Sequence, residues 1–417
     1  MDRSKATNQT FLTISILCCL VYFVSYMTRL NFTVAISEIT HSLGISNKTA
    51  GMAIVGSSVV YGFCQPIFGI LGDKFAPRWM IFIGLFGTSL CNFIVSSMSQ
   101  IELMSLLWCI NGVFQAMLWP PLVRVMSQTL SYTDYRKANV YVASSASIGT
   151  IVSYLLAPFC IWIADWRLTF VIPGILGIVS ALIWFASMKP IPLQQTVVNA
   201  KTTDIPPTQT QTLKTSTLIL TSGLFPIMLA VILQGALRDG ITTWVPTYVN
   251  DIFNYGTSIS ILSTAVLPLF TILSVTIAAK IHRWLNNELL VSSCLWGLAC
   301  LSTGLLAGLF KTNAGVSILL LSLITGCMHG INLMLINQLP LYFAKFNRAS
   351  TISGILNAFT YVGSAISVYG IAALSEHSGW KITIMTWGLL SFAGLVICLA
   401  CMRKWGHFMR AEINEAA

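Results

Sequence analysis

The chain has 417 residues, of which 55% are hydrophobic and only 9% charged, and its mean hydropathy is +0.78; a soluble domain carries roughly 25% charge. Apolar stretches of about 20 residues recur along it, each able to cross a hydrocarbon layer of about 30 Å. That excludes a soluble enzyme, a nucleic-acid-binding module and a disordered protein. The formal charge of +10 is scattered in ones and twos over the loops, a membrane-topology pattern rather than a phosphate-tracking groove.

In chain order the apolar runs predict twelve spans, near 11–36, 50–72, 79–98, 102–124, 138–163 and 166–188, then 219–249, 257–279, 289–310, 314–340, 349–374 and 380–402. The first run is too long for a signal peptide and lacks a cleavage site, so it is expected to stay. Between the sixth and seventh runs lie Gln194, Gln195, Pro206, Pro207 and repeated Thr and Gln, too polar to bury a core. The expected domains are an N-terminal six-helix bundle (1–189), a cytoplasmic linker (190–218) and a C-terminal six-helix bundle (219–417). With both termini in the cytoplasm, the outer segments hold only Lys48, Arg167, Lys311 and Lys381 of the 23 basic residues, as the positive-inside rule asks.

The halves echo one another. Arg29 and Arg238 are 209 positions apart, and so are Asp73 and His282; Asp165-Trp166-Arg167 is matched by Gly379-Trp380-Lys381. Parallel repeats of this kind belong to secondary transporters that rock around a central site.

Three charged side chains fall inside spans: Arg29, Arg238 and Asp239. Each costs roughly 3 kcal/mol at the bilayer centre on insertion scales. The two arginines are expected to face the cavity between the bundles and clamp an anion, because a planar guanidinium pairs bidentately with phosphate or carboxylate. A structural salt bridge is the alternative. On a helix Asp239 projects about 100° from Arg238. Its expected roles are to neutralise Arg238 in the empty state, to support another polar group, or to take up a proton. Gly240 and Pro246 predict a weakened helix just beyond.

The loop after span two, Gly69 to Arg78, is expected to act as a cytoplasmic gating latch through Asp73, Lys74 and Arg78, with Asp73 meeting a helix N-terminus or an arginine. In span four, Gln115 and Trp119 share a helical face; His329 in span ten, and Asn357 with Tyr361 in span eleven, offer further polar groups to a wet cavity. Cys398 and Cys401 have CxxC spacing but lie in an apolar helix, so neither a metal, a redox role nor a disulfide framework is expected. No paired carboxylates or nucleophile–base constellation marks an enzyme, and no cofactor is implied.

Several motifs are more specific: Tyr26-Met27-Thr28-Arg29, Tyr61-Gly62-Phe63, Asp73-Lys74 with Pro77-Arg78, Phe114-Gln115 with Trp119-Pro120-Pro121, and Leu237-Arg238-Asp239-Gly240 with Trp244-Val245-Pro246. In these the chain resembles the major facilitator superfamily, and more narrowly the organophosphate:phosphate antiporters, which include the glycerol-3-phosphate and hexose-phosphate transporters. The resemblance implies an all-α membrane protein of the major facilitator fold, with about twelve transmembrane helices in two pseudo-symmetric six-helix bundles. It also implies that Arg29 and Arg238 hold a phosphoryl group, with Tyr26 and Tyr361 at the pocket wall. The chain departs from the family at Gln65, where a pocket lysine is usual, and at Leu30, Ala146 and Gly235. Its pocket is less positive, which suits an anion of one or two charges.

The function expected from the sequence is alternating-access transport of a small organic anion, a sugar phosphate or glycerol phosphate, in exchange for inorganic phosphate. A proton-coupled organic-anion symporter, with Asp239 or His329 taking the proton, and a transporter-like sugar-phosphate sensor are the alternatives. The partners expected are that anion, inorganic phosphate as counter-substrate and the lipid bilayer, without nucleic acid. A monomer in a bacterial inner membrane, both termini cytoplasmic, completes the expectation.

Overall fold

The computed structural model describes residues 2–188, 215–254 and 266–414. Most of the expected linker and residues 257–265 of the eighth span therefore lie outside the described residues. Among those described, ten helices are long and apolar enough to cross a membrane, against the twelve runs read from hydropathy. The difference has two sources. Spans eleven and twelve form one helical run, Ala349–Asn414, turned by Gly379 at φ 77°. The eighth span is described only as Leu267–Leu285, which is not among the ten.

The chain divides into two compact units: Met1–Gln194 with Ser350–Ala358, and Gln195–Ala349 with Phe359–Ala417. The start of span eleven thus groups with the first unit, although it lies far along the chain.

The first unit contains α1 (Asp2–Leu43), α2 (Asn47–Lys74), α3 (Pro77–Ser96), α4 (Ile101–Ala116), α5 (Trp119–Thr129), α6 (Tyr132–Ile163) and α7 (Leu168–Ser187). Ser46 caps α2 and Ser131 caps α6, each accepting a backbone N–H three residues on. The expected fourth span is really two helices. Pro120 and Pro121 open α5, where a missing N–H costs nothing, and end α4 at Ala116. Helix α1 packs on α6 and α7, α2 on α4, and α3 on α4 and α7. An aromatic cluster of Phe32, Trp108, Trp166 and Phe170 fills one end of this unit, with Phe32 and Trp108 centroids 5.1 Å apart.

Deeper in the unit, α1, α3 and α4 are joined by buried amides and hydroxyls. Asn31 donates to Asn92, Asn92 to the Thr28 and Thr88 carbonyls, and Thr88 to Asn111. In lipid, such satisfied polar groups join helices that hydrophobicity alone cannot drive together. Outside, Leu12, Ile16, Phe63, Leu155 and Trp162 are exposed, the surface of a protein solvated by acyl chains.

The second unit contains α8 (Thr215–Ser222), α9 (Leu224–Phe253), α10 (Leu267–Leu285), α11 (Glu288–Leu309) and α12 (Ala314–Asn332). A π-helical turn (Leu333–Gln338), a 3₁₀ segment (Leu339–Phe346) and the remainder of α13 (Ala349–Asn414) follow. Helix α12 packs on α9, α10 and α11. The weakened helix expected at Gly240 and Pro246 is not found: α9 runs unbroken through both. Gly240 instead lets α9 approach Ser367 and Ile371 of α13, and membrane helices tolerate proline when neighbours hold them.

Candidate functional site

Each unit holds one of the two intramembrane arginines, and the sites are described unit by unit. On α1 of the first unit, the Arg29 guanidinium lies 4.7 Å from the ring centroid of Tyr61 and 5.6 Å from that of Tyr26. Tyr26 sits one turn before Arg29, while Tyr61 arrives from α2. Two π faces stabilise a cation that is held away from bulk water. The Tyr61 hydroxyl in turn accepts from Asn357 Nδ2 at 3.3 Å. One turn beyond Tyr61 on the same helix, Gln65 is 0% exposed, and its amide nitrogen and oxygen both lack a hydrogen-bond partner. A buried amide left in that state costs about 1–3 kcal/mol. The structure thus brings Tyr26, Arg29 and, through Tyr61, Asn357 into one cluster.

Gln115 is elsewhere. Its Nε2 donates to Thr28 Oγ1 and Thr88 Oγ1, both at 2.9 Å, and to the Ser25 carbonyl at 3.2 Å, within the α1–α3–α4 network. The face it was expected to share with Trp119 is lost at the α4–α5 break; Trp119 stacks instead near Tyr22, at 4.8 Å.

In the second unit, Arg238 closes on its own neighbour. Its Nε lies 2.6 Å from Asp239 Oδ1 and its Nη2 2.8 Å from Oδ2, a bidentate pair. The 100° divergence read from helix geometry describes the Cβ directions; a long arginine stem bends back across it. Ser364 of α13 donates its hydroxyl to Asp239 Oδ2, and His329 of α12 is within electrostatic reach of both charges. Gln234, one turn before Arg238, donates to the Met328 carbonyl at 3.0 Å and ties α9 to α12 at this level. Gly235 lies against the Thr360 backbone, so no tyrosine could stand at this position without moving α13. Tyr361 is half-buried on α13.

Of the three residues expected to act as a latch, Asp73 meets a helix N-terminus, and Lys74 and Arg78 do not join it. Asp73 accepts from the Ser350 N–H at 3.0 Å, the Thr351 N–H at 2.8 Å and the Thr351 hydroxyl, so its carboxylate caps the first turn of α13. The cation beside it is Arg124, which is buried and donates to the Gly72 and Phe75 carbonyls at 2.6 and 2.9 Å. Lys74 is exposed. Arg78 turns the other way, gripping the Phe185 carbonyl at the end of α7 at 2.7 and 3.0 Å.

Tyr61, Ser364 and Arg124 were absent from the sequence-level set of site residues. Tyr61 was legible in principle as the residue one helical turn before Gln65; a lone serine in an apolar span carries no such signal. Among the described residues, no group of three or more His, Cys, Asp or Glu side chains is placed to hold a metal ion.

An all-helical molecule with ten long apolar helices among its described residues, and an arginine within such a helix in each unit, is a multi-pass membrane protein. The chain belongs to the Major Facilitator Superfamily, whose profile matches residues 18–368. It is 31% identical over 173 residues to a protein of Chlamydia pneumoniae named "Probable hexose phosphate transport protein", covering 41% of this chain and 38% of that one. It is 26% identical over 242 residues to the "Glycerol-3-phosphate transporter" of Bacillus subtilis, covering 54% of each. The matches therefore span about half or less of these relatives' length. The fold is also that of the crystal structure of the E. coli fucose:proton symporter FucP, with a TM-score of 0.68 at 13% identity over 94% of this chain and 99% of that one.

Proposed function

We propose that this transporter carries a small organic anion bearing a phosphoryl group, a sugar phosphate or glycerol phosphate, in exchange for inorganic phosphate. Arg29 and Arg238, one from each half, hold the phosphoryl oxygens, and the protein exposes them alternately to the two sides of the membrane. One observation supports this above the others: both guanidiniums stand inside apolar helices, one beside tyrosine rings and one paired with the neighbouring Asp239 carboxylate. Such placement is expensive in lipid and is kept where charge is handled. A bidentate fork suits a phosphoryl group, as it does a carboxylate. The names of the two relatives point to the same chemistry. Tyr26, Tyr361, Gln65, Asn357 and His329 supply the uncharged groups that orient the rest of the ligand. Asp73, at the end of α2 and capping the N-terminal turn of α13, serves as the gate that must release for the cytoplasmic side to open. The chain acts as a monomer in a bacterial inner membrane, both termini cytoplasmic, its two six-helix halves joined by the 190–218 linker.

Counterflow tests the exchange. Vesicles loaded with inorganic phosphate should take up labelled phosphate or glycerol 3-phosphate without an imposed pH gradient, and phosphate-free vesicles should not. Uptake that follows an imposed pH step and ignores internal phosphate would replace exchange with proton-driven symport.

A further inference from the structure

The Arg238–Asp239 pair sets a condition on how a dianion can bind. With no ligand, the guanidinium and the carboxylate cancel, and the Ser364 hydroxyl holds Asp239 Oδ2 in place. The side-on edge of the fork, Nε and Nη2, is the one that Asp239 occupies. On the proposed two-arginine reading, Arg29, Arg238, Asp239 and a doubly charged phosphoryl group together carry one uncompensated negative charge. In a desolvated site such a charge is strongly disfavoured, and a carboxylate deprived of its cation is the group most exposed to the penalty.

We propose that Asp239 is a proton-binding site whose proton enters with the dianion. The phosphoryl oxygens displace Asp239 from Nε of Arg238. The vacated Oδ1 then takes a proton from hydronium or a buffer acid in the adjoining water, whose own bond to that proton breaks as the Asp239 O–H forms, while Ser364 keeps Oδ2 oriented. The loaded site is neutral, and the proton leaves when the anion does and the ion pair closes again. Asp239 side-chain exposure of 33%, against 13% for Arg238, leaves the carboxylate the more accessible of the two to water. The charged or titratable groups facing it are Arg238 on its own helix and His329 on α12; from α13 comes the neutral Ser364 hydroxyl. His329 is the competing proton acceptor.

The test uses the purified full-length protein and inorganic phosphate, with calorimetry reporting binding and infrared difference spectroscopy reporting the proton. In wild type, the C=O band of a protonated carboxylic acid should grow in with phosphate and saturate with the calorimetric isotherm. Calorimetry in buffers of different ionisation heat should show about one proton taken up per dianion bound. Asp239→Asn should abolish the band and reduce the uptake to about zero, and His329→Gln should keep the band. Should Asp239→Asn fail to fold, wild type carrying ¹³C-labelled aspartate carboxyls replaces it, and the band must shift. Phosphate binding without the band, a band that survives Asp239→Asn, or loss of the band only in His329→Gln would overturn the proposal. Absence of any phosphate binding would instead refute the two-arginine reading on which it rests.

Discussion

A guanidinium within a bilayer is tolerated only where something else in the protein answers its charge, and the two arginines are answered differently. Arg29 lies against the rings of Tyr26 and Tyr61, whose π faces stabilise its charge. Replacing Tyr61 with leucine removes one π face and the Asn357 contact. Phosphate affinity should fall about fivefold, the equivalent of about 1 kcal/mol, as read by calorimetry. An unchanged affinity would detach Tyr61 from the site. The sequence made Arg29, Arg238, Asp239 and Asp73 legible because charge in an apolar run is conspicuous. Ser364 was hidden because hydroxyls are common in membrane helices, and Arg124 because it stands at the end of the fourth apolar run, where a loop cation is ordinary. A second buried pair was hidden for a related reason. His282 Nε2 lies 3.1 Å from Glu288 Oε1, both side chains being 1% exposed, at helix ends that hydropathy assigns to a loop. Tyr342 donates to Oε1 at 2.8 Å and Trp405 to Oε2 at 3.2 Å, so four segments of the second unit meet on one carboxylate. Glu288→Ala should lower stability by about 3 kcal/mol, because it strands those donors. Thermal unfolding in detergent would show it, and an unaltered midpoint would assign the cluster no structural weight.

Among the elements, hydropathy located the spans well and their interruptions poorly. The proline pair in span four divides it into α4 and α5, whereas Pro246 leaves α9 intact. The difference lies in the neighbours: Gly235 allows α9 to lie against the Thr360 backbone of α13 and Gly240 admits the Ser367 and Ile371 side chains, and that contact holds a helix that composition alone marks as weak. The π-helical turn at Leu333–Gln338 has no sequence signature, since every residue in it is also a good helix former or a common helix neighbour. Gly235→Val should therefore be disruptive. Its branched side chain meets Thr360 backbone atoms within 3 Å, and a loss of about 2 kcal/mol in thermal stability is expected; wild-type stability would mean that α13 can simply shift. The first turn of α13 depends on Asp73, whose carboxylate takes two backbone N–H groups. Asp73→Asn keeps the shape but drops the charge, weakening the cap by about 1 kcal/mol. If the cap is the gate, exchange rates in vesicles should change severalfold while phosphate affinity does not. A parallel fall in affinity would make Asp73 part of the binding site instead.

At the scale of the whole molecule, the duplicated plan and its 209-residue offset explain why each half carries one arginine. A single ligand held by both halves would bind only as the halves approach, which is how binding energy becomes movement in a rocking carrier. That plan was readable from composition and spacing, because lipid admits few backbone solutions. The grouping of Ser350–Ala358 with the first unit was not readable, since it depends on the Asp73 cap and on the Asn357–Tyr61 contact rather than on chain order. The most direct measurement is a double-mutant cycle on phosphate affinity, using Arg29→Lys, Arg238→Lys and the two combined. Each single variant should bind phosphate about tenfold or more weakly while still inserting normally, because an ammonium cannot replace a bidentate fork. If both arginines grip one anion, as proposed, the combined variant should lose less than the sum of the two. Unchanged phosphate affinity in either single variant, or strictly additive losses, would contradict a shared site.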